Sequence, residues 1–393
     1  MPEDALPSAR GRLHLSDEQR LQWLRLCRSE NVGPATFRDL VNHYGSAGAA
    51  LEALPELARR GGIASRIRVC SITEAEREME AARRHGARFI GMGEPDYPPL
   101  LRGLDHPPPL ICVRGSAEAG QRPSLGVVGS RNASITGQKL TARLSREIGL
   151  AGHVIVSGLA RGIDGAAHKA ALETGTIAVL AGGIDIPFPT EHTGLAEEIV
   201  AHGGALVSEM PMGWQPRAID FPRRNRIIAG LSLGVLVVEA AMRSGSLITA
   251  RLAGEAGRLV LAVPGSPLDP RAEGTNHLIR QGATLVTSEA DIIEALSPMG
   301  GGEPQLPFDA GEEPAGTYEN GPPANVEASE DARARIVAAL GPSPVEIDDI
   351  IRFTSLSPGE VQMVLLELDL AGRLERHGGN RVSLQPELAA ARA

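Results

Sequence analysis

Six short apolar runs between Leu125 and Val263 constrain what this chain can fold into more than any other feature. They cover residues 125–129, 154–157, 176–181, 205–208, 234–238 and 259–263. Each is rich in Val, Ile and Leu, and each is followed by glycine or a polar turn and then by a helical pattern. Strands that read as continuous apolar runs are buried on both faces. Alternation with helices achieves that burial as a parallel sheet covered on each side. The expected fold class is therefore α/β, an extended Rossmann-like doubly wound sheet. Residues 89–91 and 110–113 are placed to extend the sheet at its edge.

The flanks read differently. From residue 16 to about 85, apolar positions such as Leu21, Leu24 and Leu26, then Phe37, Leu40 and Val41, then Leu51, Leu54 and Leu57 recur at helical intervals. Between two of these helices lies Asn31-Val32-Gly33-Pro34-Ala35-Thr36. It reads either as an ordinary helix–helix turn or as a hairpin whose backbone amides meet a DNA phosphate. From Met299 the composition turns to Gly, Pro and acids, as in a flexible linker. Beyond it, helical patterns over 331–340, 345–352 and 358–371 precede a hairpin turning at Gly378-Gly379-Asn380, the plan of a small winged helix. The expected domains are 1–85 (helical, SAM-like or helix-hairpin-helix-like), 86–298 (Rossmann-like, DNA-binding), 299–330 (acidic Gly/Pro linker) and 331–393 (winged helix).

Composition narrows the functional classes. Three cysteines, Cys27, Cys70 and Cys112, are odd in number and widely spaced, so neither a disulfide framework nor a CxxC zinc site can be built from them. The N-terminus carries acids and no apolar signal core, and no apolar stretch is long enough to span a bilayer, so a cytoplasmic location is expected. A net charge of -9 argues against a strongly basic nucleic-acid binder, but the charge is segregated. Residues 122–280 hold 16 Lys and Arg against 13 Asp and Glu, whereas residues 300–331 hold 8 acids and no base. Only the middle of the chain is suited to attract an anion.

Within that middle, the turn after the first strong strand reads GVVGSRNAS. Gly129 permits close approach, Ser130 and the following helix start present N–H groups, and Arg131 adds a guanidinium fork. Gly126 and Gly129 are wrongly spaced for the dinucleotide fingerprint GxGxxG, and no GxxxxGK[ST] occurs, which excludes a P-loop ATPase. Ser157-Gly158 ends the second strand at the same sheet edge. Asp164 and His168 follow four residues apart, and they read as groups that fix the helix start rather than as metal ligands or part of a triad. Lys169 beside them is a candidate for phosphate. The densest charge is FPRRNRIIAG, where Arg223, Arg224 and Arg226 stand with Phe221, Asn225 and the nearby Trp214: phosphate forks beside a stacking face, as a single strand requires. Glu239, at the end of a later strand, reads as a group that orients arginines or backbone N–H groups.

With those residues in hand, the chain closely resembles the DNA-processing protein A family (DprA, also called Smf). The matching blocks are GVVGSR, VSGLARGIDGAAH, TIAVLAGGIDIPFP, SEMPMGWQP, FPRRNRIIAGLS, VVEAAMRSGSLITA, AVPG and GTNHLIRQGA, in order over most of residues 125–283. The resemblance implies a non-enzymatic single-stranded-DNA-binding recombination mediator. Such a protein protects incoming DNA in natural transformation and loads the RecA recombinase onto it. It implies no cofactor and no metal. It also implies a phosphate pocket on Gly129, Ser130 and Arg131 with Lys169, Arg223, Arg224 and Arg226 around it, to which the reading of the residues adds Gly158, Phe221 and Asn225 as the rest of the expected DNA site. A homodimer formed through Ile279 and Leu285 is implied as well, with the RecA surface overlapping that region. The sequence departs from the family at Pro187-Phe188-Pro189, where a tyrosine often precedes the second proline.

Two other functions compete with this one. Rossmann folds that bind phosphates at similar turns include nucleotide phosphoribohydrolases, but their PGGxGTxxE stretch is replaced here by VVEAAMRSGSLITA. A sequence-specific transcription factor would use residues 358–371 as its recognition helix. That stretch is acidic and apolar rather than basic, which suits protein contact or packing on the central domain better.

Overall fold

A computed structural model describes residues 14–62, 67–297 and 328–385, so most of the expected linker, residues 299–327, lies outside the described residues. The chain forms two compact units, and the division does not follow sequence order. One unit holds residues 78–297 with 14–16. The other combines residues 17–77 with 328–385.

Four helices come first: α1 (Asp17–Arg28), α2 (Pro34–Tyr44), α3 (Ala47–Arg60) and α4 (Ile72–Arg84). Gly33 caps α2, with Pro34 as its first residue, where a missing N–H and a fixed φ suit the helix start.

The larger unit is built on nine strands. These are β1 (Ala87–Gly91), β2 (Leu110–Gly115), β3 (Ser124–Val128), β4 (Val154–Ser157), β5 (Thr176–Val179), β6 (Ala205–Ser208), β7 (Gly234–Val237), β8 (Leu259–Ala262) and β9 (Thr284–Leu285). Their spatial order is β1-β2-β6-β5-β4-β3-β7-β8-β9. From β6 to β9 every pairing is parallel, and β2 and β1 add an antiparallel margin. The helices of this unit are α5 (Pro99–Arg102), α6 (Ile135–Leu150), α7 (Ile163–Ala170), α8 (Thr193–Ala201), α9 (Asp220–Gly230), α10 (Gly245–Glu255), α11 (Glu273–Arg280) and α12 (Glu289–Leu296).

Strand alternation sorts the core into two layers. Leu125, Val127, Ile155, Leu236 and Leu261 pack with Leu144 and Ile148 of α6, Ile163 and Ala167 of α7 and Ile292 of α12. Their neighbours Val128, Val154, Val156, Val235 and Val237 face the other way, against Ile227 and Ile228 of α9 and Ala250 and Ala253 of α10. The runs of β3 to β7 are therefore apolar because both faces are covered, whereas β8 starts exposed at Leu259 and becomes buried only at Leu261. The chain runs from β3 outward through β4, β5 and β6, then returns to β7 on the opposite side of β3. That reversal opens a crevice at the carboxyl ends of β3 and β7, where open α/β sheets place ligands. Among the described residues no helix is long and apolar enough to cross a membrane.

The second unit is completed by α13 (Glu330–Ala339), α14 (Ile347–Thr354) and α15 (Pro358–Leu370) with β10 (Val345–Glu346), β11 (Leu374–His377) and β12 (Arg381–Leu384), a winged helix. A Ser357/Glu360 capping box starts α15, which is apolar around most of its circumference. One side, including Val361, Val364, Leu365 and Leu368, joins Ile336 and Ile350 of its own domain. Met363, Leu366 and Leu370 instead enter the core of the N-terminal helices beside Phe37, Leu40, Leu54 and Leu57. Polar contacts seal this junction. Asn31 Nδ2 donates to the Leu370 carbonyl at 2.9 Å, Thr36 Oγ1 to Asp369 at 2.8 Å and Arg373 to the Gly61 carbonyl at 3.2 Å, and Arg376 bridges Asp39 and Asp369 at 2.9 Å each. The Asn31–Thr36 hairpin thus turns its polar side chains onto α15.

Candidate nucleic-acid interface

Two glycine-rich turns meet above the crevice. The 129–131 turn leaves β3 and is met by the start of α7, where the Ile163 N–H donates to the Ser130 carbonyl at 3.2 Å. Gly162 has φ +71°, and a Cβ there would lie 2.7 Å from the Arg131 carbonyl oxygen, so only glycine allows the two turns to touch. Ser134 caps α6 through its Oγ, which accepts from the Gly137 N–H at 2.8 Å.

Beneath the turns lies a polar frame. Asp164 is buried and accepts the N–H groups of Gly158 at 3.2 Å and Ala160 at 3.3 Å. Burial raises its pKa, while the Arg224 charge and these donors pull it down. His168 is buried as well. Its Nδ1 lies 2.7 Å from Thr176 Oγ1, which itself donates to the Ile155 carbonyl, so Nδ1 carries the proton and Nε2 accepts the Leu159 N–H at 3.3 Å. Burial, with the His192 and Arg224 charges, pushes its pKa down to about 3, so the ring is neutral. Both side chains fix the 157–160 loop and the start of α7, as their spacing suggested.

The arginine cluster of α9 separates into three roles. Arg224 points inward and donates to the carbonyls of Gly158 and, at 2.7 Å, Val179. Burial lowers its pKa to about 10, opposed by Asp164, so it stays charged at neutral pH. A Cβ on Gly158 would sit 2.6 Å from that guanidinium. Arg226 is committed to Glu209, with both carboxylate oxygens 2.5 Å from one guanidinium nitrogen, and to the His106 carbonyl. Arg223 is exposed and forms no ion pair among the described residues. Asn225 is buried between Arg224 Nε and the Gly245 carbonyl, joining α9 to α10. Trp214, expected as a stacking face, donates its indole N–H to the buried Asp220 at 2.9 Å and is covered by Arg217.

What remains open to solvent is an aromatic and cationic ledge. The Arg131 guanidinium stands 5.1 Å from the centre of the Phe221 ring, with Arg224 at 5.9 Å beneath. Phe188 meets Phe221 edge to face at 5.8 Å and is 45% exposed, so its ring lies open to solvent beside the Arg131 guanidinium's partner ring. In the sequence Phe188 stands out only by its Pro-Phe-Pro setting, where the family often carries a tyrosine, and nothing else there singles it out as a site residue. The signal available was an aromatic flanked by two prolines in a loop at the strand ends.

The structure thus brings Gly129, Ser130, Arg131, Gly158, Phe221 and Arg224 together, with Arg223 on the exposed side of α9. Lys169 does not join them. It is exposed in the last turn of α7, about 9 Å along the axis from the helix start that meets the turn. Ile279 lies in α11, and Leu285 is 48% exposed on the edge strand β9.

Comparison with known proteins agrees with this architecture. The family described as "DNA recombination-mediator protein A" matches residues 88–297, a "DprA-like N-terminal HHH domain" matches 17–81, and a "DprA winged helix domain" matches 320–380. Protein Smf of Synechocystis sp. is 33% identical over 93% of this chain and 99% of its own length. Protein Smf of Escherichia coli is 42% identical over 74% of this chain and 75% of its own. The X-ray structure of DNA processing protein A from Streptococcus pneumoniae superposes with a TM-score of 0.58 at 35% identity, covering 71% of this chain and 98% of that one. With the doubly wound sheet, the turn at its switch point and all three domains accounted for, this chain belongs to the DNA recombination-mediator protein A family.

Proposed function

We propose that this protein binds single-stranded DNA across the ledge formed by Arg131, Phe221 and Phe188, and that it acts in the cytoplasm as a recombination mediator without catalytic turnover. In this reading it protects incoming DNA in natural transformation and loads RecA onto the strand. The observation that carries it is Arg131 set on the face of Phe221 at 5.1 Å, with Phe188 exposed beside that ring and Arg223 exposed on the same helix. A base offers a π-face to the rings while its phosphates meet the guanidinium groups, which is recognition without sequence preference. Arg224 and Asp164 act one layer below by holding the turns in place. The expected DNA-binding role of Lys169 has no support in this geometry, and that of Arg226 is weakened by its Glu209 partner.

A homodimer through β9 and α11 belongs to the same proposal, since among the described residues β9 ends the sheet with an unpaired edge bearing the exposed Leu285. The enzyme reading gains nothing from Glu239, whose carboxylate is held by Ser134.

The test is a salt-titrated binding assay on single- and double-stranded oligonucleotides of equal length, with Arg131→Ala and Arg223→Ala alongside. A preference for the single strand that weakens with salt and in both variants is expected. Equal binding by parent and variants would remove the ledge from the site. Absence of binding at low salt would overturn the function.

A further inference from the structure

The start of α6 at the β3/β7 crevice is where a doubly wound fold ordinarily seats the phosphate of a bound nucleotide. Here a carboxylate of the protein takes that seat. Val128 of β3 pairs with Val237 of β7, and the Val238 N–H continues the ladder to the Val128 carbonyl at 3.2 Å. That register sets Glu239 beside the 129–131 turn. Its Oε2 accepts the Ser134 N–H at 2.9 Å and its Oε1 the Ser134 hydroxyl at 2.5 Å. A Cβ on Gly137, in the first turn of α6, would lie 2.6 Å from the Glu239 carboxyl carbon. The carboxylate therefore lies flat against the helix start, in a recess that only glycine at 137 leaves open. Ser134 and Gly137 are shaped around an anion, and the protein supplies that anion itself.

We propose that Glu239 is a specificity-determining residue that excludes free nucleotides from this Rossmann unit. It fills the phosphate seat at the α6 terminus and repels a phosphate that would enter that seat. The anions left to bind are those that can lie outside it, along the Ser130–Arg131 turn and the aromatic ledge. A polymer with phosphates at every step can do this, while a mononucleotide loses its one anchor. Exclusion of nucleotides at the α6 terminus does not depend on whether single strands bind.

The experiment titrates adenosine 5′-monophosphate into the full-length parent, Glu239→Ala and Glu239→Gln, followed by amide-resolved NMR. Thermal unfolding of each variant and single-strand binding by the parent are measured separately. The parent is expected to show no response at Ser134 to Gly137. Glu239→Ala should shift those amides and bind at least about tenfold more tightly, because the helix start is left without its anion. Glu239→Gln, whose amide oxygen still fills the seat without charge, should show a smaller gain. A residue that only capped the helix would lose thermal stability in both variants with no gain in nucleotide binding, and that result overturns the proposal. So does a parent that already binds the nucleotide at these amides. If Glu239→Ala fails to fold, Glu239→Gln decides: a gain over the parent supports the exclusion, and equality with the parent overturns it. Failure of the parent to bind oligonucleotide overturns the proposed function and leaves this inference to its own readout.

Discussion

At the residue scale, the arginines that look alike in FPRRNRIIAG separate by what each already holds. Arg131 and Arg223 are free to neutralise phosphates, so alanine at either should reduce the slope of log affinity against log salt by about 0.7. Arg226→Ala should leave that slope near the parental value, because Glu209 already cancels its charge. Phe188→Ala should cost about 1–3 kcal/mol of binding at every salt concentration with the slope unchanged, since stacking releases no counterions. Fluorescence anisotropy on one oligonucleotide across a salt series checks all four variants together. His168 gives a pH signature. Its pKa falls from 6.5 in the unfolded chain to about 3 in the fold, so the unfolded state binds the extra proton between those values. Its contribution to stability is complete above about 6.5 and declines by about 1.4 kcal/mol for each pH unit below. Asp164, raised by burial, has the opposite slope above its ordinary value. The measurement is therefore the difference between parent and His168→Asn in urea unfolding at several pH values. That difference should shrink as pH falls from 6.5 toward 4.

At the element scale, α15 shows how one helix serves two cores. As a recognition helix it would need an exposed polar face, yet only a minority of its residues reach solvent, and Glu367 is buried against Arg333 in a pair of hydrogen bonds at 2.7 and 2.9 Å. The helix is spent on packing. The close approach of α3 to α15 is set at Gly61, where a Cβ would fall 2.6 Å from the Glu367 carbonyl carbon. Gly61→Ala should destabilise this unit by about 1–3 kcal/mol, the cost of overpacking a rigid backbone contact. Chemical denaturation followed by Trp23, which packs edge to face on Phe37 in the same core, would report it. Binding of oligonucleotide by the other unit should be unchanged in Gly61→Ala.

At the scale of the whole molecule, the sequence reads as a string of domains, whereas the fold joins the two ends of the chain into one unit and carries the α/β unit as an insertion between them. A chain ending before Ala328 would strip Met363, Leu366 and Leu370 from the N-terminal core and leave Asn31 and Thr36 without their partners on α15. Hydrogen exchange in such a truncation should lose protection over α2 and α3 and keep it over the parallel strands. Retained protection in α2 and α3 would show that the N-terminal helices fold alone.

The sequence by itself determined the doubly wound sheet, because strands buried on both faces read as nearly continuous apolar runs and the six runs declare it. It also determined the winged helix, through local periodicity and turn residues, and it set the glycine-rich turns after the strands, at the carboxyl edge of the sheet. The antiparallel β1–β2 margin fitted the expected edge, but the two-residue β9 was too short to show a pattern. Only the tertiary structure decided which charges are available. Glu209 lies 17 residues from Arg226 and Glu239 lies 105 from Ser134, so nothing in the local pattern announces either pairing. Arg223, Arg224 and Arg226 differ by one to three positions on a helix, and one faces solvent, one the sheet and one a carboxylate. Local sequence encodes periodicity, and periodicity encodes the fold. The availability of a charge depends on what long-range packing sets beside it.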